Sequence, residues 1–219
     1  GNSMGRILRR QAGTTLIGLM IGLLVSVVGI LASLSLYKTL VSVATEAKVD
    51  AMHDGQLATT LLAIQLKVQN AGFGLDTNSS NIDITEVNDE KHLYWRYKVD
   101  GVTTCEGLRR YVRTVNGIDG FALDYITAAG NSCTDEAALN TMAWQSSSTI
   151  SVFSKNVTDI VDFALTQQSC SPYGMDDSGN FYVLTLSGRT AANITGVIAN
   201  GNPLENTELK LCLPNIRSA

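Results

Sequence analysis

The sequence predicts an α+β protein, in which a long N-terminal helix with a membrane-spanning first half packs on an antiparallel β-sheet domain. Three observations predict this class. No residue from Gly13 to Tyr37 is charged. Helical periodicity then continues without a proline to Gln69. Beyond residue 74, short strand-like segments alternate with turn signals.

The uncharged run predicts a transmembrane helix over residues 14–37. At a rise of 1.5 Å per residue, twenty-odd apolar residues span roughly 30–36 Å, which matches the hydrocarbon core of a bilayer. The apolar region of a secretory signal peptide is shorter, about 7–15 residues. Three arginines, Arg6, Arg9 and Arg10, precede the run closely. The positive-inside rule therefore leaves the basic leader, residues 1–13, in the cytoplasm and exports the chain beyond Lys38.

The helix is predicted to continue through an exported half, residues 38–70. Apolar and small residues recur there at three- and four-residue steps, and they form a stripe that we expect to pack on the following domain. The segment NAGFG at 70–74 combines an asparagine with two glycines and indicates the helix C-terminus. The stripe comprises Leu40, Val43, Ala44, Ala47, Ala51, Ala58, Leu61, Leu62, Gln65 and Leu66.

The remaining residues, 71–219, form a β-rich globular domain. A polar loop is predicted over 75–92, followed by strands with alternating apolar and polar residues, which suits an antiparallel sheet with one covered face. The predicted strands are 92–99, 108–115, 120–127, 149–154, 159–167, 181–187, 194–199 and 208–213.

Charge and cysteine content bound the chemistry of the exported part. All 20 acidic residues but only 13 of the 16 basic residues lie beyond the leader, which gives a charge of about −7 and argues against nucleic-acid binding. The four cysteines also lie there, and an even number in an exported domain predicts disulfides. Three connectivities are possible, of which Cys105–Cys133 with Cys170–Cys212 is favoured because each closes a local loop.

A metal or catalytic role for these residues is not indicated. No cysteine pair has C-x₂-C spacing, and only His53 and His92 could complete a zinc site. Neither histidine lies in a motif typical of Ser/His/Asp catalysis. The segment MDDSGN at 175–180 lacks the glutamate of a calcium-binding loop and is interpreted as a solvated turn. Arg109, Arg110 and Arg113 are interpreted as a solvated strand face.

Five small residues of the span share one face of the helix. At 100° per residue, all five fall within a stripe less than about 90° wide, and leucine and valine occupy the opposite side. Lipid tails are as apolar as leucine, so helices associate in membranes through close approach over small residues. The stripe is therefore predicted to be a helix-docking face, although glycine is also commoner in spanning helices generally. It comprises Gly18, Gly22, Ser26, Gly29 and Ser33.

The N-terminal segment resembles a type III signal sequence of type IV pilin-like proteins. It has a short basic leader ending in Gly13 and then the run TTLIGLMI from Thr14. The segment LATTLLAIQLKVQNAGFG at 57–74 resembles the end of the long helix in PilW-like minor pilins. GIDGFALDYIT at 117–127 and VLTLSGRTA at 183–191 are also similar to segments of that group.

The resemblance implies a type IV pilin-like fold and a role as a structural subunit without a cofactor or catalytic site. A prepilin peptidase would cleave after Gly13 and methylate the new amine of Thr14. The subunit would wait in the inner membrane with a periplasmic domain. It would then join an extracellular filament by packing its helix against other minor and major pilins, with a tip adhesin as a further partner. Such filaments drive twitching motility, attachment, DNA uptake or secretion.

The sequence departs from the family pattern at two positions. The first mature residue is usually phenylalanine or methionine but is Thr14 here, and the fifth is usually glutamate but is Gly18. A carboxylate buried in an apolar filament core is costly unless it is paired, and in the family it is thought to pair with the amine of the subunit ahead. A subunit without it fits best where no subunit lies ahead, at or near the filament tip. Drift in a subunit of low stoichiometry would also explain Gly18.

Two other functions remain open from the sequence. One is a minor pseudopilin of a type II secretion system, because the N-terminal motif is shared across the superfamily. The other is a periplasmic binding or enzymatic domain held by an uncleaved anchor.

Overall fold

The computed structural model describes residues 12–76, 79–153, 160–174, 179–194 and 206–217, without the side chains of residues 12–14 and 115. The chain divides into two compact units, Gly1–Val49 and Asp50–Ala219. One helix, α1 (Ala12–Val68), contributes to both units. Its long apolar character and the antiparallel sheets of the second unit confirm the α+β class.

Helix α1 ends at the predicted stop signal. The Ala71 N–H donates to the Val68 carbonyl, and Gly72 adopts a positive φ of 80°. A side chain at Gly72 would be strained in this conformation, and its Cβ would lie 2.6 Å from the Asn215 carbonyl oxygen. The Gly72 N–H instead donates to the Arg96 carbonyl at 2.8 Å. The glycine therefore ends the helix and lets the chain pass close to the strands.

The second unit contains eight strands in two antiparallel sheets. Strand order in the first sheet is β1-β2-β3-β4-β5, and in the second it is β6-β7-β8. A short helix, α2 (Ala191–Ile194), lies between β7 and β8. The strands are β1 (Ile82–Val87), β2 (Glu90–Val99), β3 (Val102–Val115), β4 (Ile118–Ala128), β5 (Trp144–Phe153), β6 (Val161–Ser169), β7 (Asn180–Gly188) and β8 (Thr207–Arg217).

The predicted loop over 75–92 is wrong in part, because it contains β1 and the start of β2. Strand β1 alternates Ile82 and Ile84 with polar residues, and Asn88 and Asp89 both have positive φ, as in a two-residue hairpin. The predicted strand over 194–199 meets α2 at Ile194 and otherwise lies outside the described residues.

Two-residue turns also join β2 to β3 and β3 to β4. Each has a glycine with positive φ at its second position, Gly101 or Gly117, and Asp100 or Asn116 with positive φ before it. Such Asp-Gly and Asn-Gly pairs match the right-handed twist of the strands that they connect. They are the sequence signals that set the register of the first four strands.

The domain half of α1 lies in one core with both sheets, but the predicted stripe is mostly wrong. Of its members only Leu61 is buried, and the others that the structure describes are half-buried or exposed. The buried face is instead formed by His53, Leu57, Thr60, Leu61, Ile64 and Val68. The prediction failed because apolar residues lie on several sides of this helix, so their spacing does not select the face that the sheets cover.

Polar contacts fix the position of this helix segment on the domain. The Gln56 amide donates to the Ser151 hydroxyl and to the Val152 carbonyl of β5, each at 2.9 Å. On the other side, the Asp54 carboxylate accepts the backbone N–H of Ala191 at 2.8 Å. A Cβ at Gly188 would lie 2.7 Å from a methyl group of Leu57, so the absence of a side chain there lets the helix pack closely on β7. The helix is thereby tied to both sheets.

One carboxylate connects the two sheets directly. Asp162 of β6 accepts hydrogen bonds from Lys91 of β2 at 2.7 Å and from Arg110 of β3 at 2.8 Å. The Asp162 side chain is 43% exposed, whereas those of Arg110 and Lys91 are 6% and 13% exposed. Two largely buried cations therefore share this carboxylate as their nearest counter-charge, and Arg110 has a second, more distant one in Glu86 at 3.6 Å. A buried charge that loses its partner is costly.

We expect Asp162→Asn to lower the free energy of unfolding by about 2–4 kcal/mol, because Lys91 loses its carboxylate partner and the buried Arg110 keeps only the longer pair with Glu86, at 3.6 Å. Urea titration of the full chain in detergent micelles measures it. Asp89→Asn, a neutralisation at an exposed hairpin position, serves as the matched control and should change stability by less than about 0.5 kcal/mol. Equal effects of the two variants would contradict this role for Asp162.

Candidate functional site

The part of α1 that belongs to the first unit, up to Val49, presents an apolar surface that the described chain does not cover. Every side chain described from Thr15 to Val49 is exposed, including the leucines, isoleucines and valines of the uncharged run. This helix is long and apolar enough to cross a membrane. A soluble domain rarely exposes so much contiguous apolar surface. The surface therefore indicates membrane anchoring or contact with other helices.

The glycines of the predicted docking face have no structural role within the chain. A Cβ added at Gly18, Gly22 or Gly29 would meet no described atom within 4 Å, and none of the three has a positive φ. Glycine costs a helix about 1 kcal/mol relative to alanine at each such position. The positions recur as small-xxx-small pairs, which allow two helices to approach closely. No described part of the chain outside the helix itself requires glycine at these positions.

The two serines of the docking face bond to glycines of the same face. The Ser26 hydroxyl donates to the Gly22 carbonyl at 2.7 Å, and the Ser33 hydroxyl donates to the Gly29 carbonyl at 2.9 Å. An unpaired hydroxyl is costly in an apolar environment. Because both hydroxyls are hydrogen-bonded within the helix, the face can enter lipid or pack on another helix without leaving a hydrogen-bond donor unpaired. The two pairs lie seven residues apart and thus on the same side.

The predicted cleavage site lies at the start of the described chain. Gly13 and Thr14 belong to the first turn of α1, but their side chains are outside the described part, as are residues 1–11 of the leader. Cleavage after Gly13 and methylation of Thr14 therefore stay predictions.

Both disulfides of the favoured connectivity are present. Cys105 of β3 pairs with Cys133, and Cys170, directly after β6, pairs with Cys212 of β8. The two bonds close loops with sequence separations of 28 and 42 residues, and loops of this size lose considerable chain entropy when they are closed. The disulfides indicate that this unit matures in an oxidising periplasmic or extracellular compartment.

The first disulfide holds a long connection, residues 129–143, over the outer face of the five-stranded sheet. Leu139 and Met142 of this connection pack on Tyr94, Cys105 and Ile126. The Trp144 indole donates to the Leu139 carbonyl at 2.7 Å. The connection is thus a fixed surface of the domain.

Arg96 of β2 holds the same connection through hydrogen bonds that the sequence did not reveal. Its side chain is 1% exposed and donates to the carbonyls of Thr134, Ala137 and Ser80 and to the Asn81 side chain. Burial lowers the pKa of Arg96. The only available signal was one arginine in the aromatic run YWRY, where alternation places it on the face opposite Trp95.

Asp135 forms a second tie on this connection. Its carboxylate accepts hydrogen bonds from Lys98, at 2.6 Å, and from the Thr103 hydroxyl. Both contacts hold the pKa of Asp135 below its ordinary value. Hydrogen bonds from β2 and β3 therefore complement the disulfide.

The three arginines of β3 do not form one solvated face, which corrects the prediction. Arg110 is buried and faces Asp162, as described above. Arg109 lies on the other side of the strand, where it makes two hydrogen bonds to Glu90 at 2.7 and 3.1 Å that lower the pKa of Glu90. Only Arg113 is exposed. Alternation along a strand separates neighbouring side chains, so the three cannot act as one basic patch.

The two histidines lie apart and have structural contacts. His53 is buried on α1, with its Nε2 2.9 Å from the Arg189 carbonyl and its ring against Phe153. His92 stacks on Tyr94, which stacks on Trp144. Burial lowers the pKa of His92.

Comparison of the chain with protein-family models, with curated proteins and with solved structures finds no match in any of the three.

We expect Arg96→Lys to lower the free energy of unfolding by about 2–4 kcal/mol, since lysine cannot reproduce the forked donors and leaves buried carbonyls unpaired. Urea titration gives the stability, and limited proteolysis should show cleavage within residues 129–143. Arg113→Lys, at an exposed position of the neighbouring strand, is the control and should leave both measurements unchanged. A stable, protease-resistant Arg96→Lys protein would contradict this role.

Proposed function

We propose that the chain is a minor pilin, a non-enzymatic subunit that helps to start assembly of a type IV pilus and lies at or near its tip. The observation that carries the proposal is the surface of α1. A Cβ at any of its glycines would meet no other described part of the chain, and the glycines share a face with two internally satisfied serines. That face belongs to the uncharged segment of α1, directly after a basic leader.

A helix that only anchors a domain does not need such a face. Leucine or valine would satisfy lipid equally well and would avoid the cost of glycine in a helix. Small residues gain their value when another backbone approaches closely. Packing of α1 against other minor and major pilins in a filament core supplies that neighbour, and the inner membrane holds the subunit before assembly.

Placement at the tip follows from Gly18. If the peptidase cleaves after Gly13, Gly18 is the fifth mature residue, where the resembling family usually has a glutamate. This subunit then presents no carboxylate to the N-terminal amine of a subunit ahead. The disulfide-closed domain with its fixed connection over residues 129–143 is the part that contacts other minor pilins or a tip adhesin in the extracellular medium.

The first experiment determines the mature N-terminus. The full chain is expressed in the inner membrane with and without a prepilin peptidase, and its intact mass is measured. The proposal expects a chain that begins at N-methylated Thr14 only when the peptidase is present. An unprocessed chain in both cultures would instead favour a permanently anchored domain.

A second comparison distinguishes the pilus from a secretion system. The processed chain is expressed with the minor pilins of a type IV pilus or with the minor pseudopilins of a type II secretion system, and co-purification is measured. We expect association with the minor pilins. Association with the pseudopilins alone would instead indicate that the chain is a subunit of the secretion system.

We expect Gly22→Leu and Gly29→Leu each to reduce filament assembly by about five- to thirtyfold, because loss of close helix packing worth about 1–2 kcal/mol changes association by that factor. Sheared filaments are quantified for each variant. Val27→Leu, on the opposite side of α1, is the matched control and should assemble normally. Normal filament yield from both glycine variants would contradict the docking face.

A further inference from the structure

One edge of the five-stranded sheet is unprotected. Strand β5 pairs with β4 and, among the residues that the structure describes, with no other strand. Five consecutive residues that begin at its second position, Gln145–Thr149, are all exposed. An edge strand presents backbone N–H and C=O groups that can pair with another chain, so natural proteins usually block such edges with charges, prolines or coverage.

The other three sheet edges carry the protection that β5 lacks. Strand β1 has two acidic residues, β6 has Asp162, and β8 has charged residues and Pro214. Strand β5 reads WQSSSTISVF and has neither a charge nor a proline over its ten residues. Its two irregularities relative to β4 leave Ser147 and Ile150 without paired residues, and they are the one edge-weakening feature of this strand in the described structure.

The chain itself occupies one end of this edge. The Gln56 amide of α1 donates to the Val152 carbonyl at 2.9 Å, which is the kind of bond that an added strand would supply. The open run from Gln145 to Thr149 is about 17 Å long at 3.3 Å per residue, close to the length of an ordinary strand. An occupant of this run has to be an extended polypeptide, because a row of backbone groups is satisfied by another such row.

The charge of the domain selects between a second copy and another protein. Residues 50–219 contain 19 acidic and 11 basic residues, a net charge of −8. Pairing two copies edge to edge would bring two negatively charged domains together, whereas a basic segment would be attracted. The small hydroxyl side chains of β5 impose little steric selection of their own.

We propose that β5 accepts an extended, basic segment of a partner protein as a sixth strand of the sheet. Main-chain hydrogen bonds along Gln145–Thr149 hold the segment, and the negative domain attracts it. The proposal concerns the sheet edge alone and does not depend on the filament role of α1.

The test uses the full chain in detergent micelles and a defined probe, an eight-residue peptide of alternating threonine and valine with lysine at both ends. We expect saturating peptide to slow amide hydrogen exchange in Gln145–Thr149 by at least about tenfold, as pairing protects backbone amides. The same peptide with glutamate at both ends should bind at least about tenfold more weakly. A third peptide, with proline replacing the central threonine, should not slow exchange there, since it cannot form a continuous strand.

Two protein variants complete the test. Ser147→Pro removes an N–H from β5 at a position without a paired residue on β4, and Thr149→Asp adds a negative charge to the edge. Each should weaken binding of the lysine-ended peptide by at least about tenfold while thermal unfolding of the chain is unchanged. If Ser147→Pro does not fold, Thr149→Asp and the three peptides, which leave the protein intact, still decide the outcome.

Three results would overturn the proposal. Protection by the lysine-ended peptide in β6 rather than β5 would assign another edge. Equal protection by the proline-containing peptide would exclude strand addition. Exchange at Gln145–Thr149 that slows with protein concentration in the absence of peptide would show that a second copy occupies the edge.

Discussion

The domain depends on the burial of one face of α1 against apolar side chains from both sheets. Ile64 and Val68 of α1 are completely buried in a cluster that includes Trp95 and Phe153 of the first sheet and Leu186 of the second. Because a single hydrophobic cluster joins the three elements, neither sheet has a complete apolar core without the helix. The Asp162 pairs and the Gln56 and Asp54 hydrogen bonds then select one arrangement among those that hydrophobic burial alone would allow.

The same helix has opposite requirements in its two units. Near Ile64 its apolar side chains are satisfied within the chain. From Thr15 to Val49 they have no protein neighbour in the described structure. The physical difference is composition. His53 and Asp54 place polar groups where Arg189 and Ala191 of the domain supply partners, whereas residues 13–37 carry no charge. An apolar surface that the described chain leaves exposed is available for contact with lipid or with other subunits, as a function in assembly requires.

Within the domain, the connection over residues 129–143 is held in place, whereas the neighbouring strand β5 has an open edge. The disulfide at Cys133 and the Arg96 guanidinium hold the connection over residues 129–143 in place. Close beside it, β5 exposes polar residues on both faces and at its edge. Ser146 of β5 still donates to the buried carboxylate of Asp124 at 2.7 Å, so the strand is attached to its sheet although its outer side is open. A partner would therefore meet a preformed edge and would bear little cost of ordering the domain.

The sequence alone determined the long helix, its stop near Gly72, its glycine face and most of the strands, because charge, periodicity and turn residues act locally. It also favoured the disulfide pairing through loop length, without excluding the alternatives. The tertiary structure alone decided which face of the exported helix is buried, that Arg110 belongs to the core and that Arg96 holds a distant connection. It also decided which strand remains unpaired at an edge. These features depend on elements far apart in sequence, whose mutual position arises only when the whole domain packs and no local pattern records it.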